Sequence, residues 1–132
     1  MGENTVKRIL CVEDEQEMID LIRLILGRRG FEVKGAEGGV QGLKQIREET
    51  PDLVLLDLMM PDMDGWEVYQ QMKADEKTRH IPVIVVTAKA QNIDRVLALH
   101  IAKVDDYITK PFSPQELLQS VEKVLGTSEV ES

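Results

Sequence analysis

Short apolar runs rich in β-branched residues recur along the chain, separated by longer stretches of mixed polarity: Ile9–Val12, Phe31–Val33, Leu53–Leu56, Val83–Val86 and Tyr107–Thr109. Runs of this length, bounded by charged and turn-forming residues, predict strands. The stretches between them carry helical spacing. Met18, Leu21, Ile22 and Ile25 stand at i, i+3, i+4 and i+7, and Gly27 and Gly30 then mark an end. Val40, Leu43 and Ile46 predict a second helix, weakened by Gly42 and closed by Thr50-Pro51; Trp66–Ala74 predicts a third, and Asn92–Ala102 a fourth. The last starts at Ser113-Pro114, an N-cap followed by a first-turn proline, has Glu116 at the capping-box position and runs to Leu125 before Gly126.

Strands and helices alternating at these lengths predict an α/β fold, a parallel sheet covered on both faces; the nearly continuous apolar third and fourth strands suit burial on both sides. With 132 residues the chain has room for one domain. That domain is expected over residues 6–125, with a short N-terminal extension at 1–5 and a polar, flexible tail at 126–132 that leaves no room for an output domain.

Composition narrows the function more than the fold. Apolar residues make up 42% and charged residues 30%, ordinary for a globular protein. The net charge of -8 repels phosphate backbones and anionic lipid, so no direct nucleic-acid or membrane binding is expected. No apolar run approaches the ~20 residues of a spanning helix, and Ile9-Leu10-Cys11-Val12 is too short for a signal-peptide core, which leads to the expectation of a cytoplasmic protein. The single cysteine, Cys11, lies within that strand and is expected to be buried and inert.

The chemistry gathers at strand ends. Glu13, Asp14 and Glu15 follow the first strand, Asp57 ends the third, Thr87 the fourth and Lys110 the fifth. Each alone has an ordinary explanation as a cap, a loop hydroxyl or a solvated amine. Ligands of open parallel sheets, however, bind beyond the carboxyl ends of the strands, and all four strand ends share that edge. Three converging carboxylates repel one another. Counting Glu13, Asp14 and Asp57 against Lys110 leaves two negative charges, matched by one Mg²⁺, which suits all-oxygen ligation. His80, before a strand, and His100, late in a helix, are not expected to be ligands. An aspartate beside a metal, an ammonium and a hydroxyl is the equipment of a nucleophile in phosphoryl transfer, and Asp57, at the middle strand's end, is its natural candidate.

Glu13-Asp14, Asp57 with Met59-Met60-Pro61-Asp62-Met63-Asp64-Gly65, Thr87-Ala88 and Asp105-Asp106-Tyr107-Ile108-Thr109-Lys110-Pro111-Phe112 together resemble the receiver domain of two-component response regulators, over about residues 6–125. The resemblance implies a doubly wound, flavodoxin-like (βα)5 sandwich with a five-stranded parallel sheet in the order 2-1-3-4-5. It implies phosphorylation of Asp57 by a sensor histidine kinase, Mg²⁺ held by Glu13, Asp14, Asp57 and the Met59 carbonyl, and contacts from Lys110 and Thr87 to the phosphoryl group. Tyr107 would be the aromatic that turns inward as Thr87 is recruited, remodelling the face of the fourth helix, fifth strand and last helix for a downstream protein partner. No enzymatic turnover beyond its own aspartate is expected.

The sequence departs from that family at two places. Lys103-Val104 stands where receivers usually carry Gly-Ala, with the Thr87–Lys110 interval one residue longer than usual. Ser120 and Glu122 stand where receivers that dimerise through charge pairs carry basic residues, so a monomeric or weakly associating protein is expected. Among rivals, a haloacid-dehalogenase-type phosphatase would need an aspartate where Met59 stands, and a flavodoxin-type FMN carrier would place its phosphate against Glu13-Asp14-Glu15. A phosphorylation-independent adaptor would have no use for the intact set Asp14, Asp57, Thr87 and Lys110.

Overall fold

The computed structural model describes residues 6–126; the expectations for residues 1–5 and 127–132 lie outside them. Five strands, β1 (Arg8–Val12), β2 (Glu32–Ala36), β3 (Leu53–Leu56), β4 (Val83–Thr87) and β5 (Asp106–Thr109), form one parallel sheet in the order β2-β1-β3-β4-β5. Helices α1 (Gln16–Gly27), α2 (Gly39–Glu49), α3 (Gly65–Ala74), α4 (Asn92–Val96, continued by a π-helical stretch over Leu97–Ile101) and α5 (Pro114–Leu125) connect and cover it. This is the expected doubly wound arrangement. Among the described residues no helix is long and apolar enough to cross a membrane.

The period of two along each strand sorts the core into two layers. Ile9, Cys11, Leu53, Leu55, Ile84, Val86 and Ile108 meet Ile19, Ile22 and Leu26 of α1 and Leu117 and Val121 of α5. Leu10, Val12, Val54, Leu56, Val83, Val85 and Tyr107 face the other way, onto α2, α3 and α4. Residue 107 thus belongs to the α4 side of the sheet and residue 108 to the α5 side.

β2 starts one residue later than the expected Phe31–Val33, because the Phe31 N–H still donates to Leu26 at the end of α1, and pairing with β1 carries it on through Lys34, Gly35 and Ala36. Three helices also differ from the sequence expectation. In α1 the buried line is Ile19, Ile22 and Leu26, with Met18 and Ile25 half-buried beside it and Leu21 exposed. At ~100° per residue, Leu21 lies about 130° from the centre of that line, beyond the reach of the sheet. In α2, Leu43 and Ile46 are buried but Val40, in the first turn, is exposed. Gly42, expected as a weakness, is instead where α2 approaches β1: a Cβ there would stand 2.6 Å from Val12 Cγ1.

The third difference is α4. Only Asn92–Val96 is α-helical; Leu97–Ile101 is π-helical, with the Ala102 N–H donating to the Leu97 carbonyl at 2.8 Å. A π turn takes in one more residue per hydrogen bond than an α turn, so this helix holds one residue more than an all-α path between the same ends would. Lys103 then takes φ +63°, the left-handed conformation in which glycine is favoured, and the Val104 N–H closes back onto the Ala98 carbonyl at 2.9 Å. The last helix matches its signals: Ser113 Oγ accepts from the Glu116 N–H, and Glu116 Oε1 accepts from the Ser113 N–H.

Candidate functional site

Parallel register brings the carboxyl ends of β1 and β3 side by side, with Val12 opposite Leu56. The next residue on each strand is acidic, Glu13 and Asp57, and the Asp57 N–H donates to the Val12 carbonyl at 3.1 Å. Both side chains are buried, whereas Asp14 is exposed. One carboxylate oxygen from each of Glu13, Asp14 and Asp57 lies within 4.8 Å of the others. Lys110, at the end of β5, reaches across the edge: its Nζ lies 2.6 Å from Glu13 Oε1 and 3.3 Å from Asp57 Oδ2. The other Asp57 oxygen, Oδ1, accepts from the Met59 N–H at 3.1 Å.

Burial pushes the Glu13 carboxyl above its ordinary range, opposed by its hydrogen bond to Lys110. Burial also works against the Lys110 charge, but the hydrogen bond to Glu13 and the Asp57 charge outweigh it and hold the amine above its ordinary value. Lys110 is therefore an ammonium at neutral pH, donating to two carboxylates at once. The set remains net negative and offers only oxygen donors, the chemistry a hard divalent cation such as Mg²⁺ takes. His80 and His100 are exposed and outside the cluster.

Thr87 ends β4 and is fully buried; its Oγ1 accepts from the Lys89 N–H at 3.4 Å. The Lys89 carbonyl in turn accepts from the Tyr107 hydroxyl at 2.7 Å. Thr87 and Tyr107 are thus tied to the same loop residue, and Tyr107, 2% exposed, lies inward in this structure. Met59, two residues beyond Asp57, carries an exposed side chain.

Two residues of the motif that follows Asp57, Asp62 and Gly65, have roles that sequence reasoning did not assign. The Asp62 carboxylate accepts from the N–H groups of Gly39 and Val40, capping α2 from across the loop, and those bonds lower its pKa. The available signal was the Gly38-Gly39 start of α2, which offers no capping side chain of its own. Gly65 donates to the Leu58 carbonyl at 3.1 Å and closes the loop. Trp66 stands edge-on to Tyr69, ring centroids 5.9 Å apart, and lines a cavity of about 220 Å³ with Leu58, Leu97 and Ile101. Its ring is therefore placed to report on the cleft between α3 and α4.

Comparison with known proteins agrees with this geometry. Residues 9–122 match the family model described as the response regulator receiver domain. The chain is 40% identical over 124 residues to the alkaline phosphatase synthesis transcriptional regulatory protein PhoP of Bacillus subtilis, covering 94% of this chain and 50% of that protein. It is 40% identical over 119 residues to the phosphate regulon transcriptional regulatory protein PhoB of Escherichia coli, covering 90% of this chain and 52% of that protein. The chain spans about half the length of these curated relatives. Among solved structures, a CheY-like response regulator receiver domain protein from Methanospirillum hungatei superposes with a TM-score of 0.83 at 34% identity, covering 92% of this chain and 95% of that one. A response regulator structure from Chloroflexus aurantiacus gives 0.85 at 29% identity, covering 92% and 99%.

Proposed function

This chain belongs to the response regulator receiver domain family, and on that footing we propose that it is a phosphorylation-activated switch whose acceptor is Asp57. The supporting observation is Lys110, which bridges Glu13 and Asp57 from a strand end 53 residues beyond the acceptor. An Asp57 carboxylate oxygen attacks the phosphorus of a sensor kinase's phosphohistidine whose other ring nitrogen carries a proton; the new P–O bond forms as the P–N bond breaks, and the ring leaves as neutral imidazole. In this reading the Lys110 ammonium moves from carboxylate to phosphoryl oxygen, and the Thr87 hydroxyl donates to another. Glu13, Asp14, Asp57 and the Met59 carbonyl would hold Mg²⁺, which supplies charge neutralisation at the phosphoryl group. The exposed thioether of Met59 neither activates nor orients water, so the aspartyl phosphate is long-lived.

Output follows from the ties at Lys89. Recruiting Thr87 to the phosphoryl group draws on the residue that holds the Tyr107 hydroxyl, and so biases the face of α4, β5 and α5. A downstream protein reads that face, whose α4 surface exposes Ile93, Val96, Leu97 and Ile101. We place the protein in the cytoplasm, without enzymatic turnover beyond its own aspartate and without direct contact to nucleic acid or membrane.

The test is intact-mass measurement after incubation with acetyl phosphate and Mg²⁺. One phosphoryl group is expected on the wild type and none on Asp57→Asn; equal labelling of the two overturns the assignment. Lys110→Ala is expected to label but to leave tryptophan fluorescence at Trp66 unresponsive.

A further inference from the structure

Arg95 stands in the last α-helical turn of α4, before the π turn. Its Nη1 donates to the Tyr107 carbonyl on β5 at 2.9 Å, and its guanidinium carbon lies 5.8 Å from the centroid of the Tyr107 ring. Among the described residues its charge has no carboxylate within ion-pair distance, so the tyrosine is its partner. The rest of Tyr107 is also held: the hydroxyl by the Lys89 carbonyl and the N–H by Asp106 Oδ1. Of these contacts, only the one from Arg95 comes from α4.

We propose that Arg95 is a positioning residue that holds Tyr107 inward and ties the state of that ring to the placement of α4, so that the inward state is populated before any phosphoryl group arrives. The inference rests on the switch reading above. The guanidinium meets the ring face only while the ring lies inward, because an outward swing carries the ring off the core side of β5 while the backbone carbonyl stays in place. Arg95 therefore contributes to one state and not to the other, the condition for shifting a two-state equilibrium. An exposed guanidinium over an aromatic face still favours that state by about two- to fivefold. Because a ligand that binds the inward state has its apparent affinity scaled by the fraction of protein already there, Arg95 also strengthens binding of a phosphoryl mimic at Asp57, a residue it does not touch.

The chain has two tyrosines, Tyr69 and Tyr107, so biosynthetic 3-fluorotyrosine gives two ¹⁹F resonances, assigned with Tyr69→Phe. In the wild type without ligand the Tyr107 resonance is expected at its buried position. Arg95→Ala is expected to move it toward the solvent-exposed position and to weaken beryllofluoride binding by about two- to fivefold, while saturating beryllofluoride returns it to the buried position. Arg95→Lys, which keeps a cation but loses the planar donor fork, is expected to fall between the two. A merely structural arginine would move the melting temperature and leave the ligand-free tyrosine resonance in place. Should Arg95→Ala unfold, Arg95→Gln, which keeps the stem and a donor without the charge, takes its place under the same criteria. Coincidence of the Tyr107 resonance and the beryllofluoride affinity with wild type overturns the proposal. The underlying switch reading is checked separately by the resonances of the bound fluorides themselves, present in wild type and absent in Asp57→Asn; their survival in that variant would overturn the reading rather than the role of Arg95.

Discussion

Gly65 lies where two strands of the acceptor loop nearly touch. A Cβ there would stand 2.2 Å from the Asp57 carbonyl oxygen and 2.6 Å from Leu58 Cα, and neither backbone atom can turn aside as a side chain could. Gly65→Ala must therefore open the loop that orients Asp57, and we expect it to cost about 2 kcal/mol or more in urea unfolding and to slow labelling by acetyl phosphate. An unchanged midpoint with an unchanged slope would mean that the loop has slack. Cys11 offers a contrasting case in which burial itself settles the chemistry. Its thiol is 2% exposed and pushed up to about 12, first by burial and then by the Glu13 charge, so at neutral pH almost no thiolate is available to react. A disulfide reagent is expected to modify Cys11 only at the rate of unfolding; prompt labelling of the folded protein would contradict that burial. Both residues were visible in the sequence, but to different degrees. An apolar run around a lone cysteine already implies burial, whereas the need for glycine at residue 65 depends on how closely the chain returns to residue 57, which no local pattern records.

At the scale of elements, α5 and every strand but β2, whose Lys34-Gly35-Ala36 half carries no apolar run, were legible because their signals are local: β-branched apolar runs for the strands, the Ser113-Pro114 start and Gly126 stop for the helix. The helices that departed from expectation did so for nonlocal reasons. The buried line of α1 is set by packing on the sheet and α5 together, which turns Leu21 and Leu24 to solvent. The helical pattern over Asn92–Ala102 carries no mark of a π turn, since apolar spacing does not tell an i→i+5 hydrogen bond from an i→i+4 one. The cap of α2 is the least local of all, because Gly38 supplies no side chain and Asp62, on another loop, accepts from the Gly39 and Val40 N–H groups. Losing a side-chain cap typically costs about 1 kcal/mol, and the carboxylate also faces the positive end of the α2 dipole. We expect Asp62→Ala to lower stability by about that amount, and Asp62→Asn by less. Thermal unfolding of the two variants checks the order; equal stability of Asp62→Ala and wild type would show that water serves those N–H groups as well.

For the whole molecule, the acids that a contact between two copies would draw on are already engaged within one. Asp106 Oδ2 accepts from Ser120 Oγ at 2.6 Å and pairs with Lys123 at 3.3 Å; Asp105 Oδ2 accepts from the Val83 N–H, and Glu122 pairs with Arg29 at 2.9 Å. Burial alone would raise the Asp106 pKa, but the Ser120 hydroxyl, the Tyr107 N–H and Lys123 outweigh it and hold it below its ordinary value. A folded-state pKa below the unfolded one means stabilisation that is full above about pH 4 and lost as pH falls through the folded value. Asp106→Asn should accordingly lower stability at pH 7 and flatten its decline below pH 4, as read from urea midpoints across pH; a decline as steep as wild type would place the acid-labile groups elsewhere. The same pairing bears on assembly. A two-fold contact through α4, β5 and α5 would set Asp105 and Asp106 against Ser120 and Glu122 of a second copy, in a chain that already carries a net charge of -8. Forming it would require Asp106 to leave Ser120 and Lys123 without gaining a new cation, and would bring like charges together. We therefore expect light scattering with bound beryllofluoride to report a monomer at micromolar concentration, and Glu122→Lys, which supplies the missing positive charge, to move the protein toward a dimer. A tight wild-type dimer would show instead that the apolar surface of Ile93, Val96, Leu97 and Ile101 drives association without help from charge.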